Sequence, residues 1–202
     1  MVKKSRKNLY VFGGIGLFIL IMIMWFFGSY NSLITLRESV DAQWAQVENQ
    51  YQRRADLIPN LINTVQGAAD FEAGTQTKIV ELRTQATEAR NAWNSATTQE
   101  GKIAAAAQLD SVASAFRGLN INVENYPQLK ATQNFETFQA QLEGTENRVA
   151  VERNRYNDAV RAYNVRIKRI PTKFVAGMFS FEESAYFNIE EGTEAVPKVV
   201  FK

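Results

Sequence analysis

The sequence predicts an all-α protein: an N-terminal transmembrane helix continuous with a long antiparallel four-helix bundle, followed by an irregular aromatic C-terminal tail. Three observations carry this expectation. Residues 9–27, LYVFGGIGLFILIMIMWFF, form a stretch of 19 residues without a charge. As a helix rising about 1.5 Å per residue it is about 28 Å long, close to the hydrocarbon thickness of a bilayer. Downstream, apolar residues recur at steps of three and four through four segments, the spacing of helices with one buried face. Short turns join these segments, and short turns make sequential helices antiparallel neighbours. The expected organisation is a basic flank (residues 1–8), a transmembrane helix (9–29), a helical bundle (30–170) and an aromatic tail (171–202) that packs on the bundle base, the membrane surface or a neighbouring subunit.

Lys3, Lys4, Arg6 and Lys7 precede the apolar run, so four of the 23 basic residues belong to the membrane flank. The remainder carries 19 Lys and Arg against 21 Asp and Glu, a near-neutral balance that lacks the basic face needed for nucleic-acid binding. The apolar run is long, and Phe26 and Phe27 stand where a signal peptidase requires small residues, so the run reads as an uncleaved anchor. Trp25, Phe26, Phe27 and Tyr30 read as an aromatic belt at the exit interface. Gly13, Gly14 and Gly16 lack the GxxxG spacing of a packing motif and read as tolerated glycines. After the anchor the first basic residue is Arg37, so the positive-inside rule places the N-terminus in the cytoplasm and the bundle outside the inner membrane.

No charge or proline separates the anchor from the segment after it, and residues 8–36 contain no charge at all. A stripe then continues through Leu33, Leu36, Val40, Trp44, Val47, Tyr51, Ile58, Leu61 and Val65. One helix to about Gly67 is expected, with Pro59 as a local kink. A second helix, residues 75–96, carries Ile79, Leu82, Ala86, Ala89 and Trp93 on one face. Residues 97–101 read as a tight turn. A third helix, 102–117, carries Ile103, Ala106, Leu109, Val112, Ala113 and Phe116, with Gly118 as a left-handed cap. The segment NINVENYP is a connector, and Pro127 can open the next helix. The fourth helix, ended by Pro171, has the stripe Phe135, Phe138, Leu142, Thr145, Val149, Glu152, Tyr156, Val160, Tyr163, Ile167 and Ile170, a coiled-coil-like alternation. The tail holds six aromatics, too many for a solvated linker. Phe174, Phe179, Phe181, Tyr186 and Phe187 are its expected contact residues.

The chain has no Cys and no His. That removes the usual zinc sites, thiol nucleophiles, Ser–His triads and His general bases. Catalysis here would need carboxylates, Lys, Tyr or a hard cation held by oxygen. Polar residues interrupt the stripes at Arg54 and at Thr145 and Glu152. With Tyr30 level with Ile170 on antiparallel helices, Arg53 and Arg54 come opposite Glu143 and Glu146. The expectation is a buried or half-buried pairing that sets bundle register. Helical di-metal sites use Glu-x-x-His repeats, and with no His and with Arg at the same level no metal is expected. The Arg/Asn-rich face of RNRYNDAVRAYNVRIKR reads as solvated surface, or as a face that meets anionic lipid or a partner.

Taken together, YNSLITLRESVDAQWAQVENQYQRRADLIPNLINTVQG, the ENYPQLKA connector, LEGTENRVAVERNRYNDAVRAYN before Pro171, and the ending FVAGMFSFEESAYFNIEEG resemble the LemA family of bacterial membrane proteins. The resemblance runs from about Tyr30 to Phe201 in the expected order. It implies an N-terminal membrane helix and an extended antiparallel helical domain. It brings no catalytic residues and no cofactor. Family descriptions have also placed a short N-terminus outside the cell; the basic cluster at Lys3–Lys7 argues for the opposite orientation. A relative associated with shaping magnetosome membranes points to membrane organisation.

The functional expectation is a non-enzymatic, membrane-anchored scaffold that self-associates as a homo-oligomer or docks partners at the bacterial inner membrane, with the lipid bilayer itself as one partner and no nucleic acid. The alternative is an adaptor or regulator of a membrane protease or envelope-stress system. A hydrolase working through bundle carboxylates is a third class, marked by metal-dependent turnover.

Overall fold

The computed structural model describes residues 2–68, 71–119, 126 and 133–187, with side chains placed from Tyr10 onward in the first helix. The described residues are all-helical, without strands. The helices are α1 (Val2–Ala68), α2 (Ala73–Ser95), α3 (Gln99–Gly118), α4 (Gln133–Lys168) and α5 (Thr172–Met178). The chain divides into two compact units, one of Met1–Gln50 with Arg148–Ser184 and the other of Tyr51–Asn147 with Ala185–Lys202.

In the first unit α1 and α4 run antiparallel. Trp44 meets Tyr156 edge-on, with ring centroids 5.4 Å apart. The buried positions are Leu33, Val40 and Val47 on α1, and Val149, Tyr156, Val160, Tyr163 and Ile167 on α4, the apolar stripes of the sequence. Ile170 breaks the pattern. α4 ends at Lys168, two residues short of it, and Ile170 is 77% exposed. The tail does not begin as irregular chain. Thr172–Met178 is a helix of seven residues, about two turns, that buries Thr172, Val175 and Ala176. Its end is closed by Phe179 N–H to Val175 O (3.2 Å) and Phe181 N–H to Ala176 O (3.0 Å). Ser180 stands in the left-handed region, φ 54°, as helix-closing motifs with a six-to-one hydrogen bond require. That reversal turns Phe181 inward, where it is buried against Tyr30.

In the second unit α1 from Tyr51 onward, α2, α3 and the start of α4 (residues 133–147) form a four-helix bundle. α2 returns antiparallel to α1: Gln52 accepts from Trp93 Nε1 at 3.0 Å, and Gln66 accepts from Arg83 at 3.3 Å. Ile79, Leu82, Ala86, Ala89 and Trp93 are buried, as their spacing predicts. α2 and α3 form a hairpin across Ala96–Thr98. The expected turn over residues 97–101 is shorter, because Thr98 caps α3: its hydroxyl accepts Gly101 N–H at 3.1 Å, and Glu100 adds a negative charge to the first turn. Gly101 has a packing reason, since a Cβ there would stand 3.1 Å from Thr98 Oγ1 and 3.4 Å from Ala96 Cβ. Gly118 is not a left-handed cap. It ends α3 without a positive φ, and Leu119 N–H closes the helix on Phe116 O. Pro59 lies inside α1, which continues through it. On α1 the core also takes Ala55, Leu57 and Ile62, beyond the narrower stripe the spacing suggested. The connector NINVENYP, except Tyr126, and the terminal VPKVVF lie outside the described residues.

Candidate membrane interface and buried charge cluster

From Tyr10 to Phe27 the apolar side chains of α1 are largely exposed: Phe12, Leu17, Phe18 and Met24 each present well over half their surface. This stretch is long and apolar enough to cross a membrane, and none of its most apolar window is buried within the protein. Exposure on this scale is unstable in water and normal in hydrocarbon. Of the expected interface residues, Trp25, Phe26 and Tyr30 are half-buried and Phe27 is 60% exposed. The side chains of Lys3, Lys4, Arg6 and Lys7 lie outside the described residues.

Where the apolar run ends, the tail joins it within the first unit. Phe179 lies 5.9 Å from Phe26 and 4.7 Å from Tyr30, centroid to centroid, and Phe181 lies 5.9 Å from Tyr30. Phe174 and Tyr186 are exposed. Phe187 belongs to the second unit, where its ring stacks on Tyr51 at 5.7 Å and 10°. A clamp holds the segment after α5: Asn164 Nδ2 donates to Ser184 O at 2.9 Å, and Asn164 Oδ1 accepts Ser184 N–H at 3.0 Å. The Asn-rich face of α4 was expected to be solvated, yet Asn164 is buried. Its place four residues after Val160 and three before Ile167, at core spacing, is the signal that could have marked it. Tyr163, beside it, is also buried. Burial pushes its phenol above the ordinary 10.0, Arg37 draws it down, and Asp41 and Glu182 raise it.

In the second unit, Arg54 is the buried cation, 4% exposed. Its Nη1 pairs with Asp110 Oδ1, and its Nη2 donates to Glu146 Oε1 at 3.1 Å. Glu146 Oε2 accepts from Arg117 at 2.5 Å. Tyr51 OH reaches both oxygens of Asp110, at 3.2 and 3.1 Å. The result is a chain, Tyr51–Asp110–Arg54–Glu146–Arg117, that joins α1, α3 and α4 with two cations against two carboxylates. Arg53 and Glu143, also expected in this pairing, are both exposed. Thr145 is buried and turns its hydroxyl back to Gln141 O at 2.7 Å, spending its polarity on its own helix. Glu152 pairs with Arg155 at 2.8 Å, one turn along α4. Sequence reasoning missed Asp110 and Arg117. Both lie next to stripe positions, Leu109 and Phe116, and periodicity alone cannot tell a stripe-edge carboxylate from a solvated one.

Chemically, the cluster is compensated charge: each carboxylate is met by guanidinium donors, the arrangement that holds an ion pair in a core. Among the described residues, no group of three or more carboxylates is gathered as a metal site.

An all-helical chain with an exposed N-terminal helix of membrane-spanning length defines a membrane-anchored helical protein. The chain belongs to the LemA family, whose model matches residues 43–201. It is similar to the magnetosome protein MamQ 2 of Paramagnetospirillum magneticum, 25% identical over 174 residues, 78% of this chain and 64% of that protein. MamQ of Magnetospirillum gryphiswaldense is likewise 25% identical, across 79% of this chain and 64% of that protein. Protein LemA of Metamycoplasma hominis is 23% identical, across 88% and 75%. The chain therefore spans just under two thirds of the magnetosome relatives it matches.

Proposed function

We propose that this protein is a non-enzymatic scaffold held in the bacterial inner membrane by α1, with its N-terminus in the cytoplasm, and that it self-associates or docks membrane proteins in the service of membrane organisation. The observation that carries the reading is α1 itself. Its N-terminal part exposes apolar side chains all round, and the same helix supplies Leu33, Val40 and Val47 to the core of the first unit. The anchor and that core are therefore built on one helix. The likeness to two proteins named for the magnetosome supports a role in membrane organisation. Light scattering on protein in mild detergent tests self-association; a strict monomer at high concentration would remove it. Thiol accessibility of Ser5→Cys and Ser95→Cys in intact cells tests orientation: labelling at 95 but not at 5 is expected. In-cell crosslinking separates a self-associating scaffold from an adaptor of a membrane protease or envelope-stress system, which would capture one dominant foreign partner.

A further inference from the structure

α5 is two-sided. Thr172, Val175 and Ala176 are buried, while Phe174 and Met178, one turn apart, are 70% and 68% exposed, and Ile170 just before the helix is 77% exposed. Three large apolar side chains within nine residues are thus open to solvent. Their place in the first unit explains them. Phe179, the residue after Met178, sits on Phe26 and Tyr30, where α1 leaves its apolar run. The exposed edge of α5 is thus at the depth of the aromatic belt, where apolar groups meet headgroups.

The charges agree. From Asn164 to Glu183 there are four basic residues (Arg166, Lys168, Arg169, Lys173) and two acidic ones (Glu182, Glu183). Glu183 is engaged by Lys168 at 2.7 Å. Arg169 and Lys173 are exposed on either side of Pro171. Long basic side chains can lay their methylenes along apolar surface and carry their charge to phosphate level.

We propose that Ile170, Phe174 and Met178, flanked by Arg169 and Lys173, form a second membrane contact that lies in the interface of an anionic phospholipid leaflet beside the span. Short amphipathic elements bury their apolar face about 5–10 Å into the headgroup boundary, and anionic lipid strengthens the contact. The contact gives the first unit a second point of attachment and so sets the rotation and tilt of α1, which a single helix leaves free. This inference rests on α1 being embedded in a membrane.

The chain has no cysteine, so single thiols can be placed at will. The full chain carrying Met178→Cys or Phe174→Cys, labelled with an environment-sensitive fluorophore, is reconstituted in phosphatidylglycerol-containing vesicles with spin-labelled lipid as quencher. Ile19→Cys in the span and Ser95→Cys on α2 serve as references. Blue-shifted emission and lipid quenching are expected at 178 and 174, at shallower depth than at 19, with none at 95. Adding Arg169→Glu and Lys173→Glu should reduce quenching at 178 and leave it unchanged at 19; no reduction would overturn the anionic-lipid assignment. A blue shift at 178 without lipid quenching, lost on dilution into excess lipid, would mean a second copy covers this edge. Water-like emission would mean that nothing does. Either result overturns the proposal while quenching at 19 preserves the anchor. Absence of quenching at 19 would overturn both.

Discussion

Replacing Arg54 by Met tests whether the buried cluster sets the packing of α1, α3 and α4. The substitution removes a side chain that is 4% exposed and leaves Asp110 and Glu146 facing the gap without their shared cation. Breaking a buried pair from one side costs about 3–5 kcal/mol. Asp110 is nearly a third exposed and Glu146 keeps Arg117, so water and the second arginine absorb part of that cost. About 2–3 kcal/mol is expected. Glu146→Leu leaves Arg54 with Asp110 and strands an exposed Arg117, for about 1–2 kcal/mol. If the contact carries energy, the double variant loses about 1–2 kcal/mol less than the two singles together, within the usual coupling range for residues in contact. The assay is denaturant unfolding in detergent micelles, followed by Trp93 emission after Trp25→Phe and Trp44→Phe. Trp93 is fully buried and 5.3 Å from Tyr51, so it reports on the same unit as Arg54. Losses that add to within about 0.5 kcal/mol would refute the reasoning.

Other residues make separate predictions. Phe187→Ala deletes a 3% exposed ring stacked on Tyr51 and should destabilise the second unit by about 3–5 kcal/mol, read by the same Trp93 transition; an unchanged midpoint would place the stack outside the core. Asn164→Ala removes both arms of the clamp on Ser184 and should cost about 1–3 kcal/mol, with faster hydrogen exchange at the Ser184 amide as the direct readout. Burial raises the Tyr163 phenol, so the folded state holds that proton more tightly than the unfolded chain. Its stabilising effect is complete below the unfolded pKa of about 10 and is lost as pH rises through the raised folded value. Tyr163→Phe should flatten the decline in unfolding midpoint above about pH 10; an identical decline would assign it to other groups.

Helix phase was legible because it is a local property. A residue on a buried face repeats after three or four positions whatever lies opposite, so Ile79, Leu82, Ala86, Ala89 and Trp93 could be read off as one face without a partner in view. Arg54 was legible for the same reason, as a charge standing on a face that is otherwise apolar. Counting residues from the membrane end placed residue 146 opposite it, and the structure brings Glu146 Oε1 within 3.1 Å. The count could not choose among neighbouring charges, because Arg53 and Glu143 are equally near in sequence and point to solvent instead.

Composition and period were enough to establish the helical class, the charge-free helix able to span a bilayer and the buried faces, which short-range geometry enforces along the chain. The family was legible separately, from the resemblance of four long motif stretches. The folded structure was needed to show that Asp110 and Arg117 complete the chain around Arg54, that Asn164 turns inward to hold Ser184, and that α5 folds beneath Tyr30 with one edge left apolar and open. Each depends on which groups meet across 20 or more residues of chain. A polar side chain looks the same in sequence whether water or a buried partner satisfies it.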